Sequence, residues 1–260
     1  LLSGATAQMP LSVSLLQRTV VNETDDGRQV KGADAAAGRI TWELPFVALT
    51  DDELAALETL HGECEGQLRP LTFADPFDNL LLHSETYTHA AWAKSPGVSV
   101  TAGVSDPWST QRASTIANGS ALAAGLAQTL PLPARVATCL SAWIRSTGNA
   151  SVILRNEAGG SVRQQSFAGT DAWQRVQMFT SAHDNDAEET TVSLLLPAGA
   201  SAELAGVQLE AQPAASAYKR TAGACGLYLN ARFADDAFLV TSTDVNQHSI
   251  TVRITAPWER

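Results

Sequence analysis

No apolar run in this chain reaches the roughly 18 residues that a membrane-crossing helix needs. The first ten residues, LLSGATAQMP, have neither a basic start nor a long apolar stretch, so no secretory signal is expected there. Cysteine is scarce. Cys64, Cys139 and Cys225 stand far apart, with no C-x-x-C pair and no even-numbered framework, and buried free thiols are the expectation. A zinc centre needs clustered Cys and His ligands, and His61, His83, His89, His183 and His248 are scattered. Positive charge is also in short supply. Seventeen Lys and Arg face 27 Asp and Glu, a net charge of −10, and no basic patch is visible, so nucleic acid and anionic membranes are not expected as partners. Catalytic signatures are missing too: there is no G-x-S-x-G elbow, no H-E-x-x-H and no phosphate-binding glycine loop, and the chain is not expected to be an enzyme. A glycosidase requires only two well-placed carboxylates. Glu157, Asp171 and Glu203 are candidates, but their spacing along the chain does not show a pair.

What the chain does have is enough apolar material for a core, 45% hydrophobic residues against 17% charged in 260 residues, room for one large or two ordinary domains. Leu11 to Val20 reads as a strand, followed by the turn signal Asp25-Asp26-Gly27. In Arg39 to Leu49, Ile40, Trp42 and Leu44 alternate with polar residues as in a half-buried strand. Thr50-Asp51-Asp52-Glu53 is a capping box that opens a helix over about 51–64, with Leu54, Leu57, His61 and Cys64 on one stripe and Gly62 or Gly66 at its end. Leu57 is expected to face the core. Leu68 to Ala74 resumes extended structure up to the turn at Asp75-Pro76.

From Asn79 the texture changes to short, evenly spaced β-type runs such as VSVTA, GLAQTL, VATCLSAWIR, SVILRN, TTVSLLL and AELAGVQLEA, separated by Gly, Ser, Asn, Asp and Pro. That spacing predicts a β-sandwich. After Ala217, CGLYLNARF, AFLVTS and SITVRITA read as three further strands, with Ile250, Val252 and Ile254 alternating. Residues 79–217 carry seven basic and ten acidic side chains, net −3, leaving ten against seventeen, net −7, on the shorter remainder. The fold class expected is therefore all-β, with one helix.

The outer segments resemble the distal-tail and minor-tail proteins of long-tailed phages and prophages, through Trp42-Glu43-Leu44, Leu49 to Glu53, the helix, and LRPLTFADP from Leu68 to Pro76. The resemblance implies a β-sandwich domain that packs the helix and continues through Phe233 to Ala256, discontinuous over 1–78 plus 218–260. It also implies a homo-oligomeric ring, a hexamer for preference, at the tail tip of a virion, with other tail proteins as partners and DNA passing through the lumen. In that setting Asp25, Asp26, Asp34, Asp235, Asp236 and Asp244 are expected around one opening, where they would repel phosphate; the alternative is that they only keep the surface soluble. The segment 79–217 resembles the jelly-roll carbohydrate-binding modules of such tail proteins, through Asn79-Leu80-Leu81, Ser84-Glu85, Trp92, Gly125 to Leu130, Leu140 to Arg145, Trp173 to Val176, Ala205 to Glu210 and Tyr218. That implies an inserted jelly-roll displaying a site for a host-surface glycan. The alternatives are a structural decoration without ligand and a polysaccharide depolymerase.

Trp92, Trp143 and Trp173 fall inside this pattern and are expected in the core. Trp108, in the polar loop Ser105-Asp106-Pro107-Trp108, is the first candidate for an exposed ligand contact, with Tyr87 and His89 behind it. No cofactor is called for, although related jelly-rolls carry a structural calcium near the entry and exit of the fold, where Glu85 and Glu210 lie. The acidic run from His183 to Glu189 has oxygen ligands at alternating positions, but Glu189 stands where a calcium loop of the EF-hand kind needs glycine, and a solvated turn is expected.

Overall fold

The structure, a computed structural model, describes residues 7–146, 150–182 and 187–258. In chain order its elements are β1 (Ser12–Glu23), β2 (Gln29–Leu49), α1 (Asp51–Glu63), β3 (Leu71–Ala74), β4 (Ala93–Lys94), β5 (Val98–Val104), β6 (Ala113–Asn118), β7 (Ala124–Leu130) and β8 (Thr138–Arg145). There follow β9 (Ser151–Ala158), β10 (Ser161–Ala168), β11 (Gln174–Thr180), β12 (Thr190–Leu196), β13 (Ser201–Glu210), β14 (Leu227–Phe233), β15 (Thr241–Asp244) and β16 (Gln247–Pro257). The described residues are all-β but for one helix. It divides into two compact units, Leu1–Phe73 with Tyr228–Arg260 and Ala74–Leu227.

In the first unit the strands form one six-stranded sheet in the order β1-β2-β16-β14-β3, with β15 paired to β16. Among the described residues this unit consists of that sheet and one helix. Its core follows from period-2 alternation: Ile40, Trp42, Leu44 and Phe46 of β2 are buried, and so are Ile250, Val252, Ile254 and Ala256 of β16. The antiparallel register sets Trp42 opposite Ile254, Leu44 opposite Val252 and Phe46 opposite Ile250. Trp42 is fully buried, between Phe73 at 4.6 Å and Tyr228 at 4.8 Å from ring to ring.

The helix starts where its capping box starts. The Thr50 hydroxyl accepts from the Glu53 amide at 3.3 Å, and Glu53 Oε2 accepts from the Thr50 amide at 2.8 Å. The chain leaves the helix at Cys64, and Gly66, with φ +62°, donates back to the His61 carbonyl at 3.1 Å. Leu57 is the buried residue within the helix, Cys64 just past its end is buried as well, and His61 packs edge-on to Phe233 at 4.8 Å.

The second unit is a sandwich of two five-stranded sheets, β10-β9-β12-β7-β4 and β11-β8-β13-β6-β5. One cluster of buried side chains lies between them, with Leu126, Leu154, Val192 and Leu194 from the first sheet and Ile116, Leu140, Ile144, Met178, Leu204 and Leu209 from the second. Trp92 belongs to this core, and so does Tyr87, with no exposed surface. Gly125 shows how closely strands are set: a Cβ there would stand 1.9 Å from the Leu194 carbonyl oxygen.

The entry and exit segments run side by side within this unit. The Asn79 side chain donates to the carbonyls of Val207 at 3.0 Å and Lys219 at 3.1 Å, and its Oδ1 accepts from the Leu209 amide. The Gly226 amide reaches the Asn79 carbonyl at 2.7 Å, and the Ser84 hydroxyl lies 2.8 Å from that of Tyr218. These bonds are why the compact unit reaches from Ala74 to Leu227, beyond the 79–217 segment marked by composition.

Candidate functional site

Strand alternation decides which side chains lie outside the β11-β8-β13-β6-β5 sheet. On β8, Leu140, Ala142 and Ile144 are buried in the core cluster, so Ser141, Trp143 and Arg145 point away from it. Both Trp143 and Trp173 were expected in the core; the structure puts them on this outer face instead, half-buried. The Trp173 ring stacks on Arg145, whose guanidinium carbon is 4.8 Å from the ring centre. Arg145 is also bound by Glu203, directly across on β13.

The register of β13 against β8 shifts between Ala205 and Gln208, and inside that bulge Gly206 has φ +54°. Glycine is required here for two reasons. The left-handed conformation disfavours a side chain, and an added Cβ would lie 2.6 Å from Trp108 Cη2 and 3.3 Å from Trp143 Cδ1. The Trp108 ring therefore rests on bare backbone. Tyr218 stacks against it at 5.0 Å and 21°, Trp143 meets it edge-on at 6.0 Å, and 39% of the residue remains exposed.

The loop that presents Trp108 is organised by Asp106, which is buried. Its Oδ1 accepts from the amides of Trp108 and Thr110, both at 2.9 Å, and its Oδ2 from the Thr110 hydroxyl and the Arg112 amide. Burial opposes ionisation of this carboxyl, but the hydrogen bonds outweigh it and its pKa is lowered.

Beside the aromatic group, Glu85 is buried, its side chain 4% exposed, with Oε2 held by Arg220 at 2.9 Å and Arg112 at 3.3 Å. Burial raises the pKa of Tyr218 in the same neighbourhood. Glu210 is buried as well and accepts from Ser216 and from Lys219 Nζ at 3.4 Å. These two carboxylates, which lie in the entry and exit regions, are thus each engaged by cationic side chains, and among the described residues no group of three or more His, Cys, Asp or Glu is placed to hold a metal. The first four residues of the run from His183 to Glu189 lie outside the described residues.

Of the three predicted contact residues, only Trp108 joins this site. Tyr87 packs against Trp92 at 5.6 Å in the core, because the tight turns after His83 fold its ring inward. His89 is exposed and stacks on His83 at 3.5 Å, apart from the aromatic group. Of the carboxylates considered for hydrolysis, Glu157 and Glu203 are separated. Glu203 lies on this outer face; Glu157, bound to Arg155, lies on the outer face of the other sheet, across the whole core. Sequence reasoning missed Trp143, Tyr218, Trp173 and Arg145 as surface groups, although the alternation of Leu140, Ala142 and Ile144 was the signal for two of them.

No family model matches this chain, and no curated protein matches it. Among solved structures, it is similar to the xylan-binding domain CBM22-1 of Xyn10C from Paenibacillus barcinonensis, at 18% identity and a TM-score of 0.45, over 55% of this chain and 100% of that one. It is similar to TmCBM61, solved in complex with β-1,4-galactotriose, at 14% identity and a TM-score of 0.39, over 50% of this chain and 97% of that one. A third similarity is to the enzymatically active domain of tailspike protein 4 of bacteriophage CBA120, at 12% identity and a TM-score of 0.41, over 52% of this chain and 22% of that one.

Proposed function

We propose that the second unit binds glycans on the outer face of its β11-β8-β13-β6-β5 sheet, and that the first unit is the ring-forming part of a phage-type tail tip that carries it. The observation behind the first half is Trp108, a large aromatic left 39% exposed on a polar face and held by Gly206, Asp106 and Tyr218. A rigid aromatic face suits the C–H side of a pyranose, and the charged and hydroxyl groups around it suit its hydroxyls. An indole fixed before binding also loses little entropy on binding. Catalysis is not part of this reading.

A glycan array probed with the intact chain tests it. Binding without release of oligosaccharide is expected. Trp108→Ala is expected to weaken binding at least about tenfold, a loss of about 1.4 kcal/mol, and Gly206→Ala to weaken it by pushing Trp108 off its seat. Arg155→Ala, on the other sheet, should leave it unchanged. No binding would favour a decoration without ligand, and released oligosaccharides a depolymerase.

The ring half draws support from β1, which is exposed along all 12 residues and carries Val13, Leu15, Leu16, Val20 and Val21 in the open. Beyond Leu16, where β16 no longer flanks β2, β1 and β2 run on as a two-stranded ribbon, which is marginal in water, and the open apolar residues along β1 call for a covering partner. Native mass spectrometry should find one closed assembly, several multiples of the 27.4 kDa chain. A monomer at micromolar concentration would contradict the ring.

A further inference from the structure

One row of side chains runs across the whole outer face of the aromatic-bearing sheet. Arg145 lies opposite Glu203, Glu203 opposite Thr115, and Thr115 opposite Thr101. Trp173 closes the row beyond Arg145. Arg145, Glu203 and Thr115 point away from the core, because their strand neighbours Ile144, Ala202, Leu204 and Ile116 are buried in it; Thr101 follows Val100, which packs against the core, and Trp173 lies over Arg145. None of the five is buried, and Thr101 is exposed. The row crosses from β11 to β5, four inter-strand spacings, or about 19 Å. Trp143 and Trp108 stand beside it, Trp143 only two residues from Arg145 on the same strand.

The charges along this row cancel. Arg145 is its one cation, and Glu203 holds it. The other cations of the face are also taken: Arg112 and Arg220 bind Glu85, Lys219 binds Glu210, and Arg175 gives its terminal nitrogens to the Ser216 carbonyl and the Ser141 hydroxyl. Among the described residues the cations of this face each hold a carboxylate, except Arg175, which is turned to neutral oxygens, and on a chain of net charge −10 they offer a polyanion little. A neutral sugar finds both partners it needs: guanidinium N–H donors, carboxylate acceptors and threonine hydroxyls for its hydroxyl groups, and indole faces at Trp173 and Trp108 for its C–H groups.

Resting on the glycan-binding reading above, we infer that the ligand is a linear, uncharged oligosaccharide lying across the strands along Trp173, Arg145, Glu203, Thr115 and Thr101, rather than a single terminal sugar or an acidic glycan. The length of the row sets the expectation. Each added sugar finds a further polar group until the sheet edge at β5 is reached, after which affinity stops rising.

The test uses the intact chain in affinity electrophoresis against immobilised xylan, β-1,4-galactan, agarose, polygalacturonate and alginate, followed by calorimetry with oligosaccharides of two to six units cut from whichever polymer retards it. Retardation by a neutral polymer is expected, insensitive to a tenfold change in salt, since no exposed ion pair is made. Affinity should rise roughly tenfold or more from disaccharide to pentasaccharide. Arg145→Ala should lower it for every length. Thr101→Ala, which removes the hydroxyl at an exposed position at the far end of the row, should weaken the longest oligosaccharides while leaving the disaccharide unchanged, a split that a general loss of structure would not produce. Equal affinity for all lengths, preference for polygalacturonate or alginate, or indifference to Thr101→Ala would overturn the inference while leaving glycan binding at Trp108 intact. No retardation by any of the five polymers would overturn the inference, and an empty glycan array would take the glycan-binding reading with it.

Discussion

Replacing Arg112 and Arg220 together by methionine is expected to destabilise the second unit by about 3–5 kcal/mol, the range for removing the partners of a buried charge. The asymmetry of the cluster sets this size. The two arginine side chains are 40% and 59% exposed, whereas that of Glu85 is 4% exposed. Taking away Glu85 would release two cations that water already reaches. Taking away the arginines strands a carboxylate that water does not reach, and one of its oxygens, Oε1, already has no hydrogen-bond partner. Adding Glu85→Gln to the double variant should therefore recover most of the loss, because the amide carries no charge to leave stranded. Calorimetry of the variants reads both steps. A loss below about 1 kcal/mol, or no recovery with Glu85→Gln, would show that the pair is a surface contact after all.

Leu57→Ala is expected to cost the first unit about 2–5 kcal/mol, the range for truncating a buried leucine. Leu57 is 1% exposed and is the buried residue of α1, so one side chain carries most of the contact between the helix and its sheet. The helix is 13 residues long, too short to hold by itself in water. Denaturant unfolding should show the loss together with a lower helical signal near the midpoint. A cost under about 0.5 kcal/mol would mean that the helix is anchored by His61 and its neighbours Phe233 and Phe238 instead.

Much of the fold could be read locally, and the reasons are particular. The helix announced itself because a capping box joins residues three apart, and Thr50 and Glu53 make both of its bonds. The core faces of β2 and β16 could be read because alternation is a property of neighbours. How strands divide among sheets is a long-range property: β2 pairs with β16 about two hundred residues later, and nothing in either strand says whether the first unit has one sheet or two. The same holds at the candidate site. Trp108 stood out as a tryptophan in a polar loop, but its seat, Gly206, is far along the chain and was read only as part of a strand. Glu85 was singled out, whereas its partners Arg112 and Arg220 come from two distant segments. Trp143 is a different kind of miss. Leu140, Ala142 and Ile144 put it on the outer face, and the family-like pattern around it outweighed that simpler evidence. Tyr87 was taken for a loop residue because no periodicity runs through 79–92, and only the turns at His83, Thr86 and His89 fold it into the core.

The central claim is that ligand binds over Trp108 on the β8–β13 face. Hydrogen exchange of the intact chain, with and without a glycan retained by the array, tests it most directly. Added protection is expected in residues 105–112 and along β8 and β13, with none in β9, β10 and β12. Protection confined to β9, β10 and β12, the face that carries Arg155 and Glu157, would contradict the claim.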